Sequence, residues 1–405
     1  MAQGLALRIL CVLRGNYFNQ QKEWLKQNNL LKYTIDLEEL RFLAGGYKSL
    51  INGFKSLDYS NASEILESLF KFIELRMTKG HFIVVNAPNA NNSLLKEYKD
   101  LAQKYRYELF IVDFNNLSLQ ECKQANLNEA QKSGIFIPEH ILEAINYALN
   151  KEKISKKYKL IKPQDFQSCL YKVKDLNAYK KIHHIGDIQG CFSVLKKAIN
   201  KIKNDEFYIF LGDYIDRGIE NGKVIKWLLK IKEFKNVILL EGNHERHLIK
   251  WANKEQASSK EFNENTVKDF KKENITQKDA KQLYPYFKEC FLYEYNGKIV
   301  FCSHGGINSL PRDLSHVSFI PSYEMINGVG TYDDSKEIAD MFCANTPPYV
   351  YQIFGHRNRQ KLPTQIASRA FLCEGKVDAG QFLRVVSLSK KGFECKEFKN
   401  EVYRK

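Results

Sequence analysis

Five short segments in the second half of the chain each end an apolar run with a polar cluster that contains glycine. The clusters carry carboxylate, carboxamide, imidazole and guanidinium groups, which can bind metal ions, move protons or hold anions. In chain order they are GDIQG at 186–190, GDYIDRG at 212–218, GNHE at 242–245, HGG at 304–306 and GHR at 355–357. We predict that each apolar run is a strand, because ligands of α/β sheets gather at the carboxyl ends of strands.

The donor types in these clusters decide which ions they favour. Carboxylate, amide and imidazole ligands suit manganese, iron or zinc, and they argue against calcium, which prefers oxygen ligands alone. Two such ions held about 3.5–4 Å apart share a carboxylate, clamp a phosphoryl group and acidify a water at neutral pH. A single cluster of this kind is typical of a turn or a capped helix. Five in succession, each after a predicted strand, favour a two-metal site over that purely structural interpretation.

The elements that must hold these clusters divide the chain into parts. Because 405 residues exceed a typical domain, we predict one domain at 1–150, a linker at 151–179 and a second domain at 180–405. In the first domain, strand-like runs alternate with helical patterns, which predicts a parallel α/β sheet. The polar block 254–281 interrupts the second domain and is predicted to form a helical cap beside the site.

Composition restricts the partners and the compartment. Lys and Arg number 62 against 47 Asp and Glu, giving a formal net charge of +15, which favours an anionic partner such as RNA, DNA or a phosphorylated substrate. The surplus is equally compatible with a solvated lysine-rich surface, because net charge locates no binding face. Nine cysteines without a CxxC pair predict reduced thiols. With no long apolar stretch and no signal-peptide pattern, we expect a cytoplasmic protein without a membrane partner.

The five clusters resemble the motifs of the calcineurin-like metallophosphoesterases, close to the phosphoprotein phosphatase group, over about residues 181–388. The resemblance implies a β-sandwich flanked by helices for the C-terminal domain. It also implies a phosphoesterase with two divalent metal ions, with manganese expected first and iron or zinc as alternatives. Asp187 would bind the first ion, and Asp213 would bridge both. The second ion would be completed by Asn243, His304 and His356. The ligands that the motifs imply are Asp187, Gln189, Asp213, Asn243, His304 and His356.

The same resemblance implies three catalytic residues. His244 would protonate the leaving-group oxygen, and Asp216 would hold its imidazole in the required tautomer. Arg217 would grip the non-bridging phosphate oxygens, because its planar fork matches their geometry. The histidines His183, His184 and His247 lie outside the expected ligand positions and are predicted to be structural.

Gln189 departs from the family pattern, because the family usually has histidine at this position. An amide oxygen ligates a metal more weakly than imidazole, so we expect the first ion to bind less tightly or to be harder. Catalysis would then be weakened or redirected. In the nucleic-acid-end phosphatases of this family a carboxylate from a later segment approaches that ion. Glu374 or Asp378 could serve that role, and a plain turn is the alternative.

The first domain resembles a P-loop kinase in outline but lacks its nucleotide chemistry. Positions 20–22 hold Gln, Gln and Lys where a working loop carries glycine, lysine and a hydroxyl. The predicted lid helix at 120–131 has Ala125 and Glu129 where arginines would contact phosphates. The layout resembles the bacterial and phage polynucleotide kinase-phosphatases, with the kinase-like domain predicted to be inactive.

Together these features predict hydrolysis of phosphate esters, at nucleic-acid ends or on nucleotides. A serine/threonine-type protein phosphatase or a small-molecule phosphatase is the alternative among enzymes, since GDYIDRG and GNHE occur there too. A degenerate kinase joined to a degenerate phosphatase, acting as a non-catalytic scaffold, is the alternative outside enzymes.

Overall fold

A computed structural model describes residues 7–15, 19–89, 91–115, 117–151 and 153–403. The chain divides into two units. The first contains Met1–Tyr171 and Ser318–Pro321, and the second contains Lys172–Val317 and Ser322–Lys405. Among the described helices, none combines the length and the apolar content needed to cross a bilayer.

The first unit is built on a parallel sheet. Its strands are β1 (Ile9–Arg14), β2 (Thr34–Asp36), β3 (Tyr47–Ser49), β4 (Lys55–Leu57), β5 (Ile83–Asn86), β6 (Glu108–Asp113) and β7 (Leu160–Ile161). Its helices are α1 (Asn19–Gln27), α2 (Leu37–Gly45), α3 (Ala62–Met77), α4 (Asn92–Lys104), α5 (Leu119–Ser133) and α6 (Glu139–Lys151). The main sheet has the order β2-β5-β1-β6-β7 with every pair parallel, which confirms the predicted parallel α/β sheet. Its central strands β1 and β5 are apolar along nearly their whole length because helices cover both faces.

The segment 151–179, predicted as a linker, contributes to the structure of both units. Leu160–Ile161 add the edge strand β7 to the first sheet, and Phe166 and Leu170 are buried in the core of that unit. Lys174–Asp175 form a short strand of the second unit. Phe166 and Leu170 are buried because they are apolar residues within an otherwise basic stretch.

The second unit contains two six-stranded sheets. Its strands are β8 (Lys174–Asp175), β9 (Lys181–Ile185), β10 (Glu206–Phe210), β11 (Val237–Leu240), β12 (Phe287–Lys288), β13 (Cys290–Tyr295), β14 (Lys298–Ser303), β15 (Val350–Phe354), β16 (Gln365–Ala367), β17 (Ala370–Leu372), β18 (Phe382–Ser389) and β19 (Gly392–Lys399). Its helices are α7 (Phe192–Ala198), α8 (Asn221–Ile231), α9 (Glu245–Ala252), α10 (Val267–Lys272), α11 (Gln277–Leu283), α12 (Ser322–Asn327) and α13 (Ser335–Asn345). The sheet orders are β12-β11-β10-β9-β18-β19 and β16-β17-β15-β14-β13-β8.

The two sheets pack face to face through aromatic side chains. The rings of Phe207 and Phe291 stack with centroids 5.8 Å apart. Helices α7 to α11 bury apolar residues such as Leu228 and Phe270 against the first sheet, and α13 packs Ala339 against the second. The result is a β-sandwich between helices, the architecture that the family resemblance implied.

Parallel pairing brings the motif clusters together. Strands β9, β10 and β11 are parallel neighbours, and so are β14 and β15, so the carboxyl ends of each group share one edge. The clusters of 186–190, 212–218 and 242–245 follow the first group, and those of 304–306 and 355–357 follow the second. The block 254–281 is largely helical, as predicted, with a π-helical turn at Phe262–Thr266 before α10 and α11.

His184 joins the two sheets in the core of the sandwich. Its Nδ1 lies 2.8 Å from the Val386 carbonyl oxygen on β18, and its Nε2 lies 2.8 Å from the Tyr293 hydroxyl on β13. A neutral imidazole that donates from Nδ1 and accepts at Nε2 satisfies both partners. Burial lowers the pKa of His184 to about 3. This histidine is therefore structural, as the sequence suggested.

We predict that His184 makes the protein lose stability as the pH falls. The unfolded chain takes up a proton near pH 6.5 that the folded imidazole refuses down to about pH 3, so stability declines across that window. The slope that this residue contributes is about 1.4 kcal/mol per pH unit. Urea unfolding between pH 6.5 and 4.5 should give a steeper slope for the native chain than for His184→Gln. Parallel slopes for the two proteins would contradict the assignment.

Candidate metal centre and catalytic site

Three predicted ligands converge at the ends of the strands. One ligand atom from each of Asp213, His304 and His356 lies within 4.8 Å of the others, and all three residues are buried. His304 Nε2 is 3.3 Å from Asp213 Oδ1 and 3.3 Å from Asn243 Oδ1. The structure thus brings together the four residues that the sequence assigned to the bridging and second-metal positions.

The hydrogen bond on the far side of His304 tests whether this pocket fits a cation. His304 Nδ1 lies 2.9 Å from the Leu211 carbonyl oxygen, so Nδ1 carries a proton and donates it. In the neutral ring, Nε2 then presents a lone pair towards two further oxygens. Such a cluster of acceptors is stable only around a cation or a proton, and the second shell fixes the ring in the orientation that metal ligands need. The donor set fits a divalent metal ion.

The electrostatics of the cluster agree with its geometry. Burial works to raise the pKa of Asp213, but His304 and His244 outweigh it and hold that pKa well below the usual range. Burial, assisted by His304, lowers the pKa of His356 to about 3. An ionised carboxylate beside a neutral imidazole is the protonation state in which both groups bind metals.

The first-metal position is built from carboxylates. Asp187 is buried, and both of its oxygens lie 3.2 Å from the His356 backbone nitrogen, which donates to them. This close approach requires glycine at position 355, because a Cβ there would lie 2.0 Å from Asp187 Oδ1. Burial, with the charges of Glu374 and Asp213, raises the pKa of Asp187 well above its usual value.

Glu374 was named in the sequence only as one of two possible carboxylates, and the structure places it against Asp187. Its Oε1 accepts a 2.5 Å hydrogen bond from the Lys376 backbone nitrogen, while its Oε2 is buried with no hydrogen-bond partner among the described residues. Burial raises the pKa of Glu374. Two adjacent buried carboxylates must share a proton or hold a cation, so this position also fits a metal ion.

Gln189 has different neighbours from those of a metal ligand. In the orientation that satisfies both ends of its amide, Nε2 donates to Asp378 Oδ1 at 2.6 Å and Oε1 accepts from Arg217 Nη1 at 2.9 Å. The residue is fully buried, and its backbone adopts a φ of 44°. The second carboxylate suggested by the sequence, Asp378, therefore contacts Gln189.

The predicted proton donor is assembled beside the metal cluster. His244 Nδ1 lies 2.6 Å from Asp216 Oδ2, and His244 Nε2 lies 3.8 Å from Asp213 Oδ2. Burial opposes protonation of His244, but Asp213 and Asp216 outweigh it and raise its pKa to about 9. The imidazole is thus an imidazolium at neutral pH and can donate a proton.

Asp216 is itself held by two residues that the sequence analysis missed. Thr266, in the π-helical turn of the cap, donates from Oγ1 to Asp216 Oδ1 at 2.5 Å. Asn221 Oδ1 accepts a 2.7 Å hydrogen bond from the Asp216 backbone nitrogen. Asn221 follows the GDYIDRG motif by three positions, and this closeness to the motif could have identified it. Nothing in the sequence distinguishes Thr266 from other polar residues of the cap.

Glu245 organises the loops around Asp213. Its carboxylate accepts from the backbone nitrogens of Gly242 at 2.7 Å and of Asp213 and Tyr214 at 2.9 Å each. Burial and the charge of Asp213 raise the pKa of Glu245 to about 8. The glutamate of GNHE thus connects that motif to GDYIDRG, a role that its position in the sequence does not reveal.

Arg357, the arginine of the last cluster, binds backbone carbonyl groups. Its guanidinium donates to the carbonyl oxygens of Asn327, Gly328, Val329 and Thr331. Arg359 forms an exposed ion pair with Asp333 at 3.1 Å. The charge of Arg217, in contrast, acts on the carboxylate cluster of Asp187, Asp213, Glu374 and Asp378.

Comparison with known proteins agrees with this geometry. Residues 180–379 match the family model for calcineurin-like phosphoesterases. The match spans 200 of the 405 residues, and it makes this part of the chain similar to the calcineurin-like phosphoesterases.

Individual relatives match shorter segments. The chain is similar to serine/threonine-protein phosphatase PP1-delta of Caenorhabditis elegans, with 28% identity over 177 residues, covering 40% of this chain and 53% of that protein. It is similar to the symmetrical bis(5'-nucleosyl)-tetraphosphatase of Wigglesworthia glossinidia brevipalpis, with 41% identity over 69 residues, covering 16% of this chain and 24% of that protein. A solved protein serine/threonine phosphatase from Saccharomyces cerevisiae has 18% identity and a TM-score of 0.40, covering 70% of this chain and 96% of that one. The chain spans about half or less of the length of the curated relatives it matches.

We predict that divalent metal ions stabilise the protein through this cluster. Adding Mn²⁺ at about 100 times its Kd to the metal-free protein should contribute about 2.7 kcal/mol and raise the Tm by about 5–10 °C. EDTA should reverse the shift, and elemental analysis should find the metal in the native chain. His356→Ala should lose most of the shift, while His140→Ala, at an exposed position, should keep it. An equal shift in both variants would contradict the assignment of the cluster.

Proposed function

We propose that the C-terminal domain is a metal-dependent phosphoesterase that hydrolyses phosphate esters. The observation that carries the proposal is the His244–Asp216 pair, with Nδ1 and Oδ2 2.6 Å apart, placed beside the buried carboxylate of Asp213. A proton donor beside a metal-binding cluster suits phosphoester hydrolysis, because it can protonate the leaving oxygen while the metal ions activate water.

We assign the metal ligands as follows. Asp213, Asn243, His304 and His356 would hold one ion, and Asp187, Asp213 and Glu374 would hold the other, with manganese as the expected metal. When bound, the two ions would supply Lewis-acid activation of water and of the phosphoryl oxygens. The oxygen-rich first position favours a harder ion than the imidazole-containing one.

The chain's own groups would handle the leaving group and the anionic substrate. His244, an imidazolium at neutral pH, would give its Nε2 proton to the departing oxygen, and Asp216 would stabilise the charge and fix the ring. Arg217 would hold the non-bridging oxygens, because a guanidinium donates two parallel hydrogen bonds to a phosphate.

A nucleic-acid end is the substrate that we propose first. The net charge of +15 and the resemblance of the domain pairing to polynucleotide kinase-phosphatases support it. A dinucleoside polyphosphate is the second candidate, favoured by the 41% identity to a symmetrical bis(5'-nucleosyl)-tetraphosphatase over 69 residues. A phosphoprotein substrate is the alternative suggested by the other relatives.

We predict that His244→Asn lowers kcat by on the order of 10²–10⁴-fold for an alkyl phosphate, because the leaving alkoxide must be protonated. The loss should be smaller for p-nitrophenyl phosphate, whose leaving group needs little protonation. Mn²⁺ binding should be retained. His247→Asn, at a neighbouring histidine outside the site, is the matched control and should keep most of the native kcat. Equal losses for both substrates would argue against a proton donor at this position.

A panel of substrates separates the candidates. A 3'-phosphorylated oligonucleotide, a bis(5'-nucleosyl) tetraphosphate and a phosphopeptide would be compared by kcat/KM with Mn²⁺, using Asp213→Asn as the inactive reference. The nucleic-acid proposal requires the oligonucleotide to be preferred and its KM to rise steeply with salt. A preference for either other substrate would replace it with the corresponding alternative. Turnover of none of them would favour the scaffold.

We also propose that the first domain does not transfer phosphate. Residues 16–18 of its predicted phosphate loop lie outside the described residues, so the support comes from positions around them. Lys22 pairs with Glu38 at 3.2 Å and lines a cavity of about 370 Å³. That cavity is also lined by four carboxylates, Asp36, Glu38, Glu39 and Glu129, which would repel a polyphosphate.

We predict no transfer of the γ-phosphate of ATP to a 5'-hydroxyl oligonucleotide, since the described carboxylates occupy the surroundings of Lys22. Lys22→Ala should leave the background rate of a radiolabel transfer assay unchanged. Transfer by the native chain that disappears in Lys22→Ala would contradict this proposal without bearing on the phosphoesterase.

A further inference from the structure

We propose that Gln189 is a positioning residue for Arg217 rather than a ligand of the first metal ion. The inference rests on the proposed function, in which Arg217 holds the phosphate. It replaces our first interpretation of Gln189 as a weak substitute for histidine.

The side-chain contacts form a polar chain of three residues. Asp378 Oδ1 accepts from the Gln189 amide nitrogen at 2.6 Å, and the Gln189 amide oxygen accepts from Arg217 Nη1 at 2.9 Å. Both ends of the amide are therefore engaged, and the oxygen that could ligate a metal is directed at a guanidinium. The carboxylate of Asp378 fixes which end of the amide faces Arg217, because only the nitrogen end can donate to it.

The backbone holds Gln189 in place for this task. Its nitrogen donates to the Asp213 carbonyl at 2.7 Å, and its carbonyl accepts from the Gly218 nitrogen at 3.0 Å. The two loops are so close that a Cβ on Gly218 would lie 2.2 Å from the Gln189 carbonyl oxygen. The amide is thus carried on a loop whose backbone is hydrogen-bonded to the loop that presents Arg217.

Arg217 needs such a partner. Arg217 is exposed, and fixing the end of an exposed arginine side chain costs rotamer entropy. Its backbone nitrogen donates to Glu261 Oε1 of the cap at 3.2 Å, which fixes the start of the side chain but not its end. The Gln189 amide oxygen fixes the end and leaves the other guanidinium nitrogens free to meet a phosphate.

The position of Glu374 also argues against Gln189 as a ligand of the first metal ion. This buried carboxylate lies beside Asp187 with Oε2 unpartnered among the described residues, so the first metal position already has an oxygen donor from another loop. A ligand from Gln189 is not needed there.

The test separates phosphate binding from metal binding. Isothermal titration would measure Mn²⁺ binding to the full chain, and then inorganic phosphate binding to the Mn²⁺-loaded protein. Gln189→Leu removes the polar chain, and Asp378→Ala removes only its anchor from a partly exposed turn. In Gln189→Leu we expect phosphate affinity and kcat/KM to fall about 10-fold through KM, with Mn²⁺ stoichiometry and affinity unchanged. Asp378→Ala should shift phosphate affinity in the same direction by less.

The double variant gives a further check, because the effects of substitutions within one hydrogen-bonded network are not additive. Gln189→Leu combined with Asp378→Ala should be no worse than Gln189→Leu alone. Loss of one Mn²⁺ equivalent in Gln189→Leu with native phosphate affinity would restore the ligand interpretation. Native affinity for both probes would show that Gln189 is only structural. If Gln189→Leu does not fold, unchanged phosphate affinity in Asp378→Ala alone overturns the proposal. Inactivity of the native chain, with phosphate binding intact, would count against the proposed function and not against this assignment.

Discussion

Negative charge buried at the carboxyl ends of the strands sets the requirements for the rest of the second unit. Asp187, Asp213 and Glu374 are all removed from water, and a buried carboxylate is unstable unless it meets a proton, a donor or a cation. The histidines of the neighbouring strand ends and the guanidinium of Arg217 supply part of the compensation. The remaining demand explains why so many loops from distant parts of the chain converge here.

That convergence is achieved at a cost in backbone conformation. Left-handed φ angles occur at Gln189 (44°), Asp213 (49°), Arg217 (64°), His356 (69°) and Asp216 (76°). Each such residue costs on the order of 1–3 kcal/mol and persists only where its surroundings impose the conformation. Glu245 provides part of this constraint, because it accepts hydrogen bonds from Gly242, Asp213 and Tyr214 at once. The loops are therefore rigid where they present functional groups.

The sequence predicted those features that leave a local pattern of apolar and polar residues. The apolar runs before each polar cluster predicted both the strands and their common edge, and the parallel sheet of the first unit followed from the same alternation. It could not assign the partners of Gln189, because the relevant groups on Arg217 and Asp378 lie 28 and 189 positions further along the chain. The contact of Thr266 with Asp216 was beyond prediction for the same physical reason. Glu374, in contrast, was one of the two carboxylates that the sequence offered for the first metal position. A hydrogen bond between distant parts of the chain leaves no periodicity in the sequence. Ile161 and Phe166 show that a basic stretch can still enter a core.

The hydrogen bond from Thr266 to Asp216 has a consequence for how this domain can diversify. Caps over hydrolase sites are usually regarded as gates that choose which molecules enter. Here the cap also contacts the proposed acid–base pair of His244 and Asp216, because the threonine that donates to Asp216 comes from the cap and not from the sandwich. Replacing this block to admit a new substrate would therefore alter proton delivery at the same time, so a successful exchange has to bring its own hydroxyl to the same point.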